Sequence, residues 1–313
     1  MIGMTCLATD QGLGVLAKQM YDAGIVDLVC VHPHTSRENH YEWYPNRVSK
    51  EELLKKCNTL LFIEDPFDWK LIPQARERGI KTVLIPMYEC TRNPLPYVPD
   101  EIWSPSKLDQ QYYHGSKLVQ IPVASFPKQR FFAKVFVHNA GNGGLGGRNG
   151  TKELIEAMQY VKSPIKLILR SQIPIACDDH RVEVRVGTFP YETLWEEGDV
   201  FVFPEKFNGL SLPIQEAFAS GLLVMAGARF PNTDYLPNEP LIPVSGYHKE
   251  RIAVEFDCAE FSPEIIADHI DKWYNKDISE YSIKGIEWGL ANSYDYHGER
   301  SKEWRKNLSA RSK

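Results

Sequence analysis

Residues 198–224 read GDVFVFPEKFNGLSLPIQEAFASGLLV. Val200 to Phe203 alternates valine with phenylalanine and stops at Pro204, so a buried strand ends where a loop begins. The loop leads into a short, otherwise apolar helical pattern with Glu216 in its interior. The small residues Ala219, Ser220 and Gly221 then turn the chain into a second strand-like run, Leu222 to Ala226. An acid inside an apolar helix is costly unless something there uses it.

The same alternation of strand and helix runs the length of the chain, the pattern of parallel sheets wrapped by helices. A first series of strand-like segments is Ile2 to Ala8, Ile25 to His32, Thr59 to Glu64, Lys81 to Met87, Glu101 to Ser104 and Val119 to Val123. PVASFPKQRFFAK, with its prolines and charges, reads as a linker. A second series follows: Val135 to His138, Ile165 to Arg170, Val182 to Val186, Val200 to Phe203, Leu222 to Ala226 and Leu241 to Val244. The expected fold class is α/β, with two Rossmann-like domains over 1–127 and 128–290. The helix-like tail, 291–313, is free to cross back onto the first domain. Two such domains facing each other bring the carboxyl ends of both sheets to a central cleft, where ligands of open α/β sheets bind.

Composition narrows the function classes. The 313 residues are 43% hydrophobic and 25% charged, the make-up of a globular protein. No apolar run reaches the ~18 residues of a membrane span, and MIGMTCLATDQGLG lacks the features of a secretory signal, so a cytoplasmic protein without a transmembrane segment is expected. Cys6, Cys30, Cys57, Cys90, Cys177 and Cys258 are far apart and form no C-x-x-C, which reads as free thiols and no metal. A net charge of −5 argues against a surface basic all over. Two local basic patches stand out, KQRFFAK (128–134) and the tail RSKEWRKNLSARSK (300–313). Each reads as a linker or a solvated helix end, or as an electrostatic handle for an anionic partner.

Two glycine-bearing loops follow strand ends. In the first half, Gly12 and Gly14 precede an amphipathic helix, where exposed amides favour an anion. The third glycine of the dinucleotide fingerprint is missing, which argues against NAD. In the second half, HNAGNGGLGGRNGTKELIEAM offers a glycine-rich loop with Gly144 in its middle, then Arg148, then a helix for Asn149 or Thr151 to cap. Backbone amides plus one guanidinium suit a diphosphate. There is no G-K-[ST], so it is not a Walker loop.

The opening stretch resembles a signature of retaining glycosyltransferases of family 4, whose GT-B fold holds a nucleotide sugar between two Rossmann-like domains. In that family a strand ends in proline and is followed by a Glu, a Gly-aromatic-Gly-Leu-Pro loop and a second Glu after seven intervening residues. Here Asn208 stands in the first Glu position, Gly209, Leu210, Ser211 and Leu212 in the loop, and Glu216 in the second. RNGTKELIEAM is similar to the family's Lys-Gly-x-x-x-Leu-Ile-x-Ala segment. GTFPYETLWEEGDVFVFPE resembles the segment from the base-binding loop to the next strand. LIPMYECTRNPLPYVPDEIWSPSK resembles a subgroup with an aromatic-Glu pair and a D-x-x-W-x-P-S strand. The likeness covers most of the chain, most closely 134 to 228.

The resemblance implies an acceptor-side first domain and a second domain that binds a nucleotide-diphosphate sugar, most naturally a UDP-sugar, with no other cofactor. Glu216 would accept from the ribose hydroxyls, and the amides of Gly209 to Ser211 would hold the sugar and diphosphate. Arg148, with Lys152 or Arg170, would neutralise the leaving group, and Glu89 would face the sugar or the acceptor hydroxyl. The departures include Asn208, which can still hydrogen-bond sugar hydroxyls but cannot carry charge, and Asn149, where the family has a phosphate-binding Lys.

The resemblance leaves the acceptor open. A saccharide or small molecule fits; so does a hydroxymethylated base in DNA, the substrate of a virus-type member, with the two basic patches tracking phosphates. A silent nucleotide-sugar-binding module and an epimerase on the same fold are the competing classes. His32, His34 and His40 read as a polar acceptor-side loop before they read as a metal site. In EDPFDW, Asp65 is expected to cap a helix. Oligomeric state is not legible.

Overall fold

The computed structural model describes residues 1–143, 147–295 and 297–310. The chain divides into two compact units: Met1–Ile121 with Arg251–Val254 and Tyr294–Lys313, and Pro122–Glu250 with Glu255–Ser293.

The first unit is built on a parallel sheet of β1 (Ile2–Cys6), β2 (Leu28–Val31), β3 (Thr59–Ile63), β4 (Lys81–Ile85), β5 (Glu101–Ser104) and β6 (Lys117–Leu118), in the order β2-β1-β3-β4-β5-β6. Helices α1 (Gly12–Asp22), α2 (Lys50–Lys56), α3 (Leu71–Glu77) and α4 (Lys107–Tyr112) lie between strands. β1 and β3 are buried at every residue, which is why they read as continuous apolar runs rather than alternating ones. Helix α2 starts at a capping box, in which Ser49 and Glu52 each accept from the other's backbone amide. The strand expected over 119–123 is absent. Its place is taken by the two-residue β6, and Val123 makes only an isolated bridge to Ser293. The C-terminal helix, α11 in chain order (Glu299–Ser309), belongs to this unit. Arg305 donates to Gly24 O at 2.6 Å and to Asp27 Oδ2 at 3.0 Å, and Trp304 meets Trp103 edge-on at 5.3 Å.

The second unit carries β7 (Val135–Gly141), β8 (Lys166–Ser171), β9 (Val182–Val186), β10 (Val200–Phe203) and β11 (Leu223–Ala226), all parallel, in the order β11-β10-β7-β8-β9. Its helices are α5 (Thr151–Ala157), α6 (Thr193–Glu196), α7 (Leu212–Ala219), α8 (Asn232–Tyr235), α9 (Pro263–Trp273) and α10 (Ser279–Asn292). The alternation read in Val200–Phe203 divides between two cores. Val200 and Val202 join Phe136, Leu167 and Met225 in a cluster with Leu154 of α5 and Ile266 and Ile270 of α9. Phe201 and Phe203 join Val137, Ile168 and Val224 against Ile214 and Phe218 of α7 and Trp195 of α6. A sheet covered on both faces needs apolar residues at both parities. Leu241 to Val244 is not a strand; only Ile242 pairs, with Gly227. The chain instead forms a hairpin of β12 (Gly246–Arg251), which is exposed and charged, and β13 (Glu255–Glu260), whose buried Phe256, Cys258 and Ala259 stand among acids, so that neither reads as an apolar strand.

Candidate functional site

In the second unit the sheet order reverses between β7 and β10: β7 continues to β8 and β10 continues to β11. Loops leaving the carboxyl ends of two such strands diverge and leave a crevice, the usual ligand site of an open α/β sheet. The glycine-rich loop and the Pro204–Ser211 loop are the two that leave there. Gly144 lies outside the described residues.

The two loops touch where residues 148–150 meet residues 204–207. Lys206 N–H donates to Arg148 O at 2.8 Å, and the Arg148 guanidinium lies 5.9 Å from the centroid of the Phe207 ring. Gly150 stands at φ +68°, and a Cβ there would fall 2.3 Å from Pro204 O, so only glycine permits the approach. Gly150, not Asn149 or Thr151, is the N-cap residue of α5. Asn149 Nδ2 donates to Ala140 O at 2.9 Å, and Thr151 Oγ1 pairs at 2.8 Å with His138 Nε2, whose Nδ1–H meets Val202 O at 2.8 Å. Burial lowers the His138 pKa to about 4, so the ring is a neutral tie between strand and helix.

Of two further expected phosphate ligands, one is solvated and the other is committed elsewhere. The side chain of Lys152 is 82% exposed, with its ammonium 3.8 Å from Glu156 on the same helix. Arg170 is buried, and its guanidinium is spent on Glu197, on Asn139 Oδ1 at 3.2 Å and on Leu194 O at 3.4 Å. It braces the sheet.

The loop after β10 is organised by Glu205, which the sequence reading passed over. Glu205 Oε2 accepts from Arg229 Nη2 at 2.7 Å, and Oε1 accepts from Asn208 Nδ2 at 2.9 Å and Ser211 Oγ at 3.0 Å, all four residues being buried. Arg229 adds Nε–H to Glu205 O at 2.9 Å and Nη1–H to Asn208 O at 3.2 Å. Asn208 Oδ1 accepts from Leu210 N at 3.1 Å. Asn208, expected at the sugar, is therefore turned into the loop it shapes, and the Leu210 amide is occupied by it. Among the described residues the amides of Gly209 and Ser211 have no acceptor. They stand just ahead of α7, where the first amides of a helix favour negative charge.

Four residues into α7, Glu216 is fully buried, and Tyr191 OH donates to its Oε2 at 2.5 Å. Tyr191 comes from the segment after β9. The crevice thus gathers Arg148, the Gly209 and Ser211 amides and the Glu216–Tyr191 pair onto loops and a helix of one sheet. Tyr191 stood in the quoted GTFPYETL segment but had no role assigned.

In the first unit, Gly14 is a close-approach glycine, since a Cβ would lie 2.1 Å from Thr9 O, whereas a Cβ on Gly12 would meet open space. Gly14 serves the strand–helix turn. Glu89, past the carboxyl end of β4, is 1% exposed, and its carbonyl accepts from Ala253 N at 3.0 Å. Beside it lies Asp109, which accepts from Ser106 Oγ and from Tyr88 N at 2.9 Å. Burial first, with the charge of Glu89 adding to it, raises the Asp109 pKa to about 7. Asp109 was missed because it is far along the chain from Glu89.

His40 sits between Asp10 Oδ2 and Glu42 Oε1, both at 3.1 Å, and stacks on Trp43 at 4.7 Å. His34 instead serves its own loop through Asn39 and Ser36. Among the described residues no group of His, Cys, Asp and Glu is arranged to hold a metal. Asp65 closes a turn, accepting from Phe67 N at 2.6 Å, while α3 starts only at Leu71. Of the basic patches, Arg130 is buried on backbone carbonyls, Arg305 pairs with Asp27, and Lys302 pairs with Glu299. No helix among the described residues is long and apolar enough to cross a membrane.

No protein-family model matches the chain, and no curated protein matches it. Solved structures do. Anabaena HepE in complex with UDP and glucose is similar with a TM-score of 0.65 at 10% identity, over 98% of each chain. A glycosyltransferase from Rickettsia africae ESF-5 gives 0.66 at 10% identity over 99% of each chain. Sucrose-phosphate synthase from Thermosynechococcus elongatus gives 0.60 at 14% identity over 98% of this chain and 96% of that one. At such identities the likeness is one of fold, and the fold is GT-B, built of two Rossmann-like domains.

Proposed function

We propose that this GT-B chain is a family 4-type glycosyltransferase that moves a sugar, with retention at the anomeric carbon, from a UDP-sugar to a hydroxyl of a saccharide or small-molecule acceptor. The observation that carries the reading is Glu216. It is a buried carboxylate on α7 that accepts from the Tyr191 hydroxyl, behind a loop whose Gly209 and Ser211 amides have no acceptor among the described residues. An ionised acceptor fixed on a helix suits a ribose diol, and amides at the helix start suit a diphosphate. UDP and glucose in the similar HepE structure support uracil as the base.

Cleavage of the anomeric C–O bond develops positive charge on the sugar and negative charge on the departing diphosphate. The Gly209 and Ser211 amides and the Arg148 guanidinium stabilise that negative charge. A preorganised donor of this kind contributes about 3 kcal/mol to the transition state. Asn208 shapes the loop through Glu205 and the Leu210 amide. Glu89 serves the acceptor side, so Glu89→Gln lowers turnover while donor affinity stays as in wild type.

Glycosylation of DNA requires cations along 128–134 and 300–313 to meet phosphates. Arg130, Arg305 and Lys302 are occupied within the chain, which favours the saccharide or small-molecule acceptor. The test is to incubate the protein with individual UDP-hexoses and an acceptor panel that includes hydroxymethylated DNA, and to follow UDP release. Acceptor-dependent release bears the proposal out. Donor binding without release under every acceptor marks a binding module, and conversion of the donor without acceptor marks an epimerase; either overturns it.

A further inference from the structure

The five-stranded sheet of the second unit ends at β9, whose sequence is V-E-V-R-V over Val182–Val186. Arg181 O accepts from Leu167 N at 2.9 Å and Gly187 N donates to Ser171 O at 2.9 Å. Odd-numbered residues therefore turn their backbone groups toward β8, and Val182, Val184 and Val186 turn theirs to the outer edge. The Val182 amide is used by Asp179 O at 2.9 Å. Among the described residues no other chain segment pairs with the amides or carbonyls of Val184 and Val186. β9 is half-buried along its length, and Val186 is 52% exposed.

We propose that two copies of this chain pair through β9, antiparallel about a two-fold axis at Val184, making one sheet continuous across both. The strand's own pattern selects this occupant. In that register each Val184 N–H meets the Val184 carbonyl of the second copy, and each Val186 N–H meets the Val182 carbonyl. The occupied Val182 amide sits where it is least needed. Glu183 then faces Arg185 of the second copy as a directly opposed pair, where opposite charges stabilise and like charges destabilise.

An edge strand guarded against self-pairing carries charges that repel their own image. Here the image is complementary. Within one chain Glu183 already holds Arg185 at 2.6 Å and Lys166 at 2.7 Å, so pairing joins two such clusters into one network about the axis. An isologous contact of this kind closes at the dimer and does not propagate.

The test is sedimentation velocity on the full chain from about 1 to 100 µM, the range for a contact of modest size. Wild type is expected to shift from monomer to dimer within it. Glu183→Arg alone and Arg185→Glu alone each place like charges face to face and should be monomeric, whereas an equimolar mixture of the two should recover the dimer. Val184→Pro removes the central amide without changing charge, on an edge where proline is tolerated, and should also be monomeric. Wild type that stays monomeric throughout, single variants that dimerise like wild type, or a mixture that remains monomeric would each overturn the proposal.

Discussion

Glu216 and Tyr191 illustrate what a single residue pair decides here. Any ribose hydroxyl that reaches Glu216 Oε2 competes with the Tyr191 hydroxyl already bonded there. A hydrogen bond made only in the free protein lowers the apparent affinity for the ligand that displaces it. Tyr191→Phe should therefore tighten UDP about 5-fold, equivalent to about 1 kcal/mol, and lower the melting temperature of the unliganded protein. Titration calorimetry measures the first effect; weaker UDP binding would mean that Tyr191 itself grips the nucleotide. Asp109 gives a pH effect with a definite sign. Its folded pKa of about 7 lies above the ordinary 3.8, so the folded state keeps a proton that the unfolded state has lost. Its contribution to stability is full below pH ~4 and falls away as pH rises to ~7, by at most about 4 kcal/mol. Asp109→Asn should flatten the loss of stability between those pH values in thermal melts. An unchanged slope would contradict the assignment. At this scale the sequence displays acids that interrupt an apolar pattern, as Glu216 does. It hides acids defined by distant partners: Glu205 meets Arg229 only when β10 and β11 lie side by side, and Asp109 meets Tyr88 and Glu89 only when α4 folds back.

Helix α7 is held at both ends by such distant partners. Ahead of it, the Glu205–Arg229 pair sets the course of the loop. Behind it, Arg130 from KQRFFAK donates to Ser220 O at the helix C-terminus, to Trp195 O at 2.5 Å and to Gly198 O at 3.2 Å. A cation suits a helix C-terminus, and although burial lowers the Arg130 pKa to about 10 it stays charged at neutral pH. Arg130→Met should cost about 3 kcal/mol, because the buried carbonyls lose their donors, and should move the urea midpoint down; an unchanged midpoint would show that the carbonyls find other partners. KQRFFAK read as a linker because a buried arginine and a solvated one look alike in sequence. Central strands such as β3 and β10 were legible from their apolar runs. β6 was not, being only a two-residue edge, and neither was the β12–β13 hairpin, in which β12 is exposed and charged and β13 sets its buried Phe256, Cys258 and Ala259 among acids.

For the whole molecule, alternation of strand and helix along the chain pointed to two parallel α/β units, and the fold is that of GT-B proteins at 10–14% identity. The candidate site was legible in outline, because strand ends carry ligand loops in any open α/β sheet. Its interior wiring was not, because Arg170 meets Glu197 and Glu205 meets Arg229, partners that chain position alone does not reveal. The central claim is that the crevice between the β7 and β10 loops binds a nucleoside diphosphate through Glu216. It is tested by titrating UDP into wild type and Glu216→Gln at one pH and ionic strength. The expected result is saturable binding to wild type, weakened at least about 10-fold by the substitution, a change of about 1.4 kcal/mol, while both proteins melt cooperatively. Equal UDP affinity in the two proteins, or no binding to wild type, would contradict it.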